Sequence, residues 1–137
     1  MRSLAEDEFT TLKEGLSTYL SMTFPALLVP PSQTQFFSAL LELKAGVGGS
    51  EATLFLTDLL RVYIRYAHSR GWRADVIQST EVIGGGMRDA IVEVKGDGAY
   101  DTLRWETGVH RVQRVPETES SGRVHTSTVA IIVSFQL

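Results

Sequence analysis

The architecture turns on residues 45–71, AGVGGSEATLFLTDLLRVYIRYAHSRG. From about Ser50 to Arg70, the apolar side chains Ala52, Phe55, Leu56, Leu59, Tyr63 and Tyr66 recur at helical spacing. Asp58, Arg61, Arg65 and His68 take the other side, so the spacing predicts one long amphipathic helix. Gly71 stands where a helix-terminating glycine belongs. Gly46, Gly48 and Gly49 stand just ahead of the helix, where the first backbone N–H groups have no partner inside it.

Working outward, the pattern changes to that of strands. Phe36 to Lys44 alternates, with Leu41 and Leu43 facing away from Glu42 and Lys44. Trp72 to Ile77 and Ala90 to Lys95 alternate too, and Gly84-Gly85-Gly86 between them reads as a flexible turn. Asp97 is placed to N-cap a short helix holding Tyr100 and Leu103. His110 to Val115 is a short strand, Pro116 to Gly122 a polar loop, and His125 to Phe135 a strand rich in β-branched residues. The predicted fold class is α+β: a mixed or antiparallel sheet of about four to five strands with the long helix packed on one face. Trp72 and Trp105 read as core residues.

Upstream, Leu4, Phe9, Leu12, Leu16 and Tyr19 predict an amphipathic helix over residues 3–20, weakened by Gly15. Pro25, Pro30 and Pro31 then predict an extended connector. Residues 1–35 are thus read as an N-terminal helix and connector, and residues 36–137 as the compact domain.

Bulk properties narrow the function classes. The 137 residues suffice for one core. There is no cysteine, which removes disulfides and thiolate metal sites. No apolar run is long enough to cross a bilayer. A net charge of −3 argues against bulk electrostatic adhesion to nucleic acid, so any RNA contact must be local and geometric.

Two segments carry candidate chemistry. The glycine turn at 46, 48 and 49 matches neither a Walker loop, which needs Lys and Ser/Thr where Glu51 stands, nor a dinucleotide loop. It is either a plain tight turn or a helix tip able to address a base edge. The second segment, GVHRVQRVPETESSGRVHTS at 108–127, interleaves His110, Arg111, Arg114, Arg123 and His125 with Gln113, Thr118 and Thr126. Glu117 and Glu119 nearly cancel its charge, so it is not a phosphate clamp. It is either a solvated hairpin or a loop that reads single-stranded RNA by hydrogen bonds and stacking. The histidine spacing suits no metal pair, and no nucleophile motif is present.

AGVGGSEA, GWRADV, GDGAYDTLRWETGVHRVQRVPETESSGRVHTST and VAIIV, in that order, resemble bacterial-type class-I peptide chain release factors. The likeness runs from about Leu41 to Val133. It implies the codon-recognition domain of a factor reading UAA and UAG, marked by Pro116-Glu117-Thr118. By that resemblance Gly48 and Glu51 address the first uridine, Glu51 through its carboxylate. Thr118 addresses the second-position purine, His125 stacks on a base, and Gln113 and Thr126 meet an unstacked third base. The implied partners are the decoding centre of the small ribosomal subunit and an mRNA stop codon. No cofactor, metal, membrane or small-molecule substrate is implied.

The chain departs from the family at Val47, at Ser50 and in its last residues, SFQL. It also holds no Gly-Gly-Gln, the family's hydrolysis-triggering tripeptide, and the helical portion is short. A fragment without that domain is therefore expected, not itself an enzyme. It would act in the bacterial cytoplasm or the mitochondrial matrix, with a slight lean to the mitochondrion. The rival readings are a non-hydrolytic regulator or decoy on the ribosome, and a nucleotide-binding enzyme using the glycine turn.

Overall fold

The computed structural model describes residues 2–30, 32–116 and 119–136. The chain divides into two compact units, Met1–Gln33 and Thr34–Leu137.

The first unit is helical for most of its length: α1 (Arg2–Thr18), a π-helical turn (Tyr19–Thr23) and α2 (Phe24–Leu28). The extended connector expected after residue 20 is therefore corrected over residues 21–28, which are helical. Pro25 falls in the first turn of α2, where a missing N–H costs no helical hydrogen bond. Val29 has left helical geometry, one residue before Pro30, as steric restriction ahead of a proline favours. Pro31 lies outside the described residues.

The second unit contains β1 (Ser38–Ala45), α3 (Gly49–Ser69), β2 (Arg73–Glu81), β3 (Met87–Lys95), α4 (Ala99–Leu103), β4 (Gly108–Arg114) and β5 (His125–Gln136). Its five strands form one sheet in the order β2-β3-β1-β5-β4, with every pair antiparallel. The α+β expectation holds, with five strands. Alternation in β1 turns Ala39, Leu41 and Leu43 to one face. There they join Ala90, Val92 and Val94 of β3 and Val129 and Ile131 of β5. α3 covers that face with Leu56, Leu60, Tyr63 and Ala67, and α4 adds Ala99 and Leu103. Each fully buried Val, Leu or Ile among them contributes roughly 1.5–3 kcal/mol of transfer free energy.

The end of α3 is made by Gly71. Its φ is +74°, its N–H donates to the His68 carbonyl, and the Trp72 N–H donates to Ala67 O. Those two bonds satisfy carbonyls the last helical turn would leave orphaned. Two smaller expectations fail. Gly98, not Asp97, is the N-cap of α4, because the chain must pass there through φ +73°. Trp105 is 76 % exposed, with the Arg104 guanidinium 4.6 Å from its ring centroid. Trp72, as expected, packs against the core. No helix among the described residues is long and apolar enough to cross a membrane.

Candidate functional site

The first turn of α3 and the β4–β5 hairpin meet at one end of the sheet. Between β1 and α3 the chain is stitched to β5. Gly46 N–H donates to Thr128 O at 2.8 Å, Val47 N–H to Thr128 Oγ1 at 3.0 Å, and Thr128 N–H to Val47 O at 2.9 Å. Gly48 then turns through φ +133°, and a Cβ added there would stand 2.5 Å from Ser127 Oγ. Only glycine satisfies both demands. Two of the turn's amides are thus spent on Thr128, which leaves it poorly suited to cradle a phosphate. The nucleotide-loop reading gains nothing from this geometry.

Glu51, in the first turn of α3, behaves differently from the sequence expectation. Its side chain is only 4 % exposed, and Arg114 Nε donates to its Oε1. Arg114 Nη1 also donates to Asp58 Oδ2, at 2.9 Å. A buried carboxylate demands a charge partner, and Arg114, the last residue of β4, supplies it. The Glu51 carboxylate is therefore buried and paired with Arg114, whereas the expected side-chain contact with uracil calls for an exposed one. At its tip α3 exposes Gly49 and Ser50. Oε2 of Glu51 and Oγ of Ser127 are buried with no partner among the described residues. The two carboxylates, Glu51 first, push the Arg114 pKa above its already high ordinary value.

Arg114 leads directly into Val115 and Pro116. Pro116 is buried, and its carbonyl accepts the Glu119 N–H at 3.0 Å. Glu117 and Thr118 lie outside the described residues. On β5, His125 pairs across the hairpin with Arg114, and Thr126 with Gln113. Strand alternation then separates the expected readers into two sets. His125 shares a face with Arg114, while Gln113 and Thr126 lie on the opposite face, linked by a 3.4 Å bond from Nε2 to Oγ1. His125 Nε2 lies 2.8 Å from Glu119 Oε2, and Glu119 Oε1 accepts the Ser121 N–H at 2.8 Å. That amide, then His125, holds the Glu119 carboxyl below the usual range. A cleft of about 460 Å³ opens beside these groups, lined by Glu51, Leu54, Asp58, Arg61, Arg114 and Val115.

Gly48, Glu51, Gln113, Pro116, His125 and Thr126 thus gather at one end of the domain. Reading the sequence alone named Arg114 in the candidate segment and Asp58 on the polar side of α3 without joining them, and gave no part to Ser127 or Thr128. The i, i+7 spacing of Glu51 and Asp58 marks them as neighbours on one helix face. That an arginine from β4 would bridge them depends on strand pairing, which spacing does not give. Further along α3, a second cavity of about 260 Å³ is lined by Leu59, Val62, Tyr63 and Leu103. At its rim Tyr63 OH donates to Glu106 Oε2 at 2.8 Å, and His110 Nε2 lies 3.0 Å from the Glu106 carbonyl. Burial, then Glu106, raises the Tyr63 pKa well beyond its ordinary value and keeps the phenol protonated. Among the described residues no group of three or more His, Asp or Glu is arranged to hold a metal ion.

The PCRF domain family matches residues 1–131, almost the whole chain. The chain belongs to that family. This PCRF domain is 48 % identical over 133 residues to peptide chain release factor 1 of Desulforudis audaxviator (strain MP104C), covering 97 % of the chain and 37 % of the relative. It is 45 % identical over 133 residues to peptide chain release factor 1 of Dictyoglomus turgidum (strain DSM 6724 / Z-1310), covering 97 % and 36 %. Among solved structures it is similar to RF2 of Thermus thermophilus, with a TM-score of 0.79 and 32 % identity, over 96 % of this chain and 37 % of that one. The PCRF domain thus spans little more than a third of the length of these relatives.

Proposed function

We propose that this PCRF domain serves translation termination by reading UAA and UAG in the decoding centre of the small ribosomal subunit. The observation that carries the reading is the tie between Arg114 and Glu51, which brings the foot of the 116–119 loop onto the tip of α3. Two segments far apart in sequence, the start of α3 and the end of β4, are thereby held together. The main chain at Gly48 and Glu51 meets the first uridine. Thr118, between Glu117 and Glu119 in the sequence, meets the second-position purine with a hydroxyl that both donates and accepts. The His125 ring stacks on a base. Gln113 and Thr126, on the other face of the hairpin, meet a third base turned away from its neighbours; an amide with both donor and acceptor tolerates A or G there.

The domain makes and breaks no covalent bond of its own, and its 137 residues hold no Gly-Gly-Gln. Both release factor 1 relatives are bacterial, which supports a bacterial-type cytoplasm and gives no support to the mitochondrial lean. The test is titration of the labelled 137-residue chain onto ribosomes programmed with UAA, UAG, UGA or CAA. Preference for UAA and UAG over the other two by about ten- to a hundredfold is expected from one or two base contacts of 1–3 kcal/mol each. Thr118→Val should erase most of the difference between UAA and UGA. Equal affinity for all four codons would overturn the reading, and peptide release by the chain alone would overturn its non-catalytic part.

A further inference from the structure

Glu119 is fastened on three sides. Its N–H donates to Pro116 O at 3.0 Å, its Oε1 accepts the Ser121 N–H at 2.8 Å, and its Oε2 lies 2.8 Å from His125 Nε2. Its side chain is 17 % exposed, against 46 % for His125. Both carboxylate oxygens are engaged and recessed, which leaves Glu119 badly placed to meet a base. His125 is the reverse case: a half-exposed imidazole at the first position of β5. A stacking ring acts through its face, so the plane it adopts decides how much of a base it covers. An ionised carboxylate against one ring nitrogen makes that nitrogen the N–H donor and fixes the plane.

We infer that Glu119 is a positioning residue for stop-codon reading, holding the His125 ring in its stacking plane through Nε2. The inference rests on the codon-reading function proposed above. It also ties the ring to the loop, because the residue that orients His125 follows Thr118 directly and is pinned to Pro116.

The experiment has two arms on the full 137-residue chain. In the free protein, ¹³C relaxation at Cδ2 and Cε1 of the His125 ring should report high order in the wild type, low order in Glu119→Ala and intermediate order in Glu119→Gln, whose amide oxygen still accepts. On UAA-programmed ribosomes, Glu119→Ala should weaken binding about tenfold, in keeping with loss of one oriented hydrogen bond to a charged group. The same change in a His125→Ala background should then cost nothing more. Unchanged ring order in Glu119→Ala overturns the inference. So does an undiminished loss in the His125→Ala background, which would mean that Glu119 acts without the ring. If His125→Ala itself leaves UAA binding intact, the stacking role falls and this inference falls with it, whereas the first outcome leaves that role standing.

Discussion

Arg114 answers two carboxylates from one end of β4, one buried and one half-exposed. Removing the guanidinium strands the buried charge of Glu51, whereas neutralising Glu51 leaves an exposed arginine that water can solvate. The two losses are therefore unequal. Arg114→Met should cost about 2–3 kcal/mol, the low end for breaking a buried pair because Arg114 is 38 % exposed. Glu51→Gln keeps an acceptor for Nε and should cost about 1 kcal/mol. The double variant should be more stable than Arg114→Met, since a neutral amide is cheaper to bury. Urea midpoints check the order, and a smaller loss for Arg114→Met than for Glu51→Gln would refute it. At this scale the sequence exposed which residues could bear chemistry but not which way they face. Glu51 is a reader only by the resemblance to class-I release factors. It became a support because an arginine sixty-three positions later reaches it.

The elements were legible where one period dominated. α3 was found almost to its ends because its stripe is continuous and Gly71 closes it. β2 runs on to Glu81, past the apparent end at Ile77, because the register shifts between Val76 and Gln78 break the alternation that sequence reading follows. The three-glycine run shows the same limit. As composition it reads as a flexible turn, yet in the fold the β2–β3 tip is docked on the start of α3. Thr53 Oγ1 donates to Ser50 O at 2.7 Å and to Gly85 O at 3.3 Å, and a Cβ on Gly86 would lie 2.6 Å from the Thr53 carbonyl carbon. Gly84 has a positive φ but open space around it. Gly84→Ala should therefore cost only backbone strain, of order 1–3 kcal/mol. Gly86→Ala adds a collision with helix backbone that no rotamer change relieves. The expected result is a clearly lower melting temperature for Gly86→Ala than for Gly84→Ala, with amide shifts spreading to Thr53 and Leu54 only in the former. Equal melting temperatures would show that the tip is not held against α3.

For the whole molecule, strand order was the part that sequence could not supply. Nothing in the spacing of β5 says that it pairs with β1 on one side and β4 on the other, yet that pairing is what sets the β4–β5 hairpin beside the α3 tip. The division into two units has a consequence of its own. Among the described residues, those of the hydrophobic core all belong to Thr34–Leu137, and the π-helical turn and α2 bury none of theirs. Phe9, Leu12 and Leu16 on α1 are each more than 60 % exposed. Cooperative stability is a property of buried apolar area, and elements that contribute none sit at the low end of local stability. A fragment comprising residues 34–137 should accordingly unfold in urea at the midpoint of the full chain. In hydrogen exchange on the full chain, the amides of residues 5–28 should be fully exchanged while β1, β3 and β5 remain protected. A midpoint lowered well beyond measurement error in the fragment, or protection of α1 equal to that of the sheet, would mean that the helical unit shares in the fold's cooperativity.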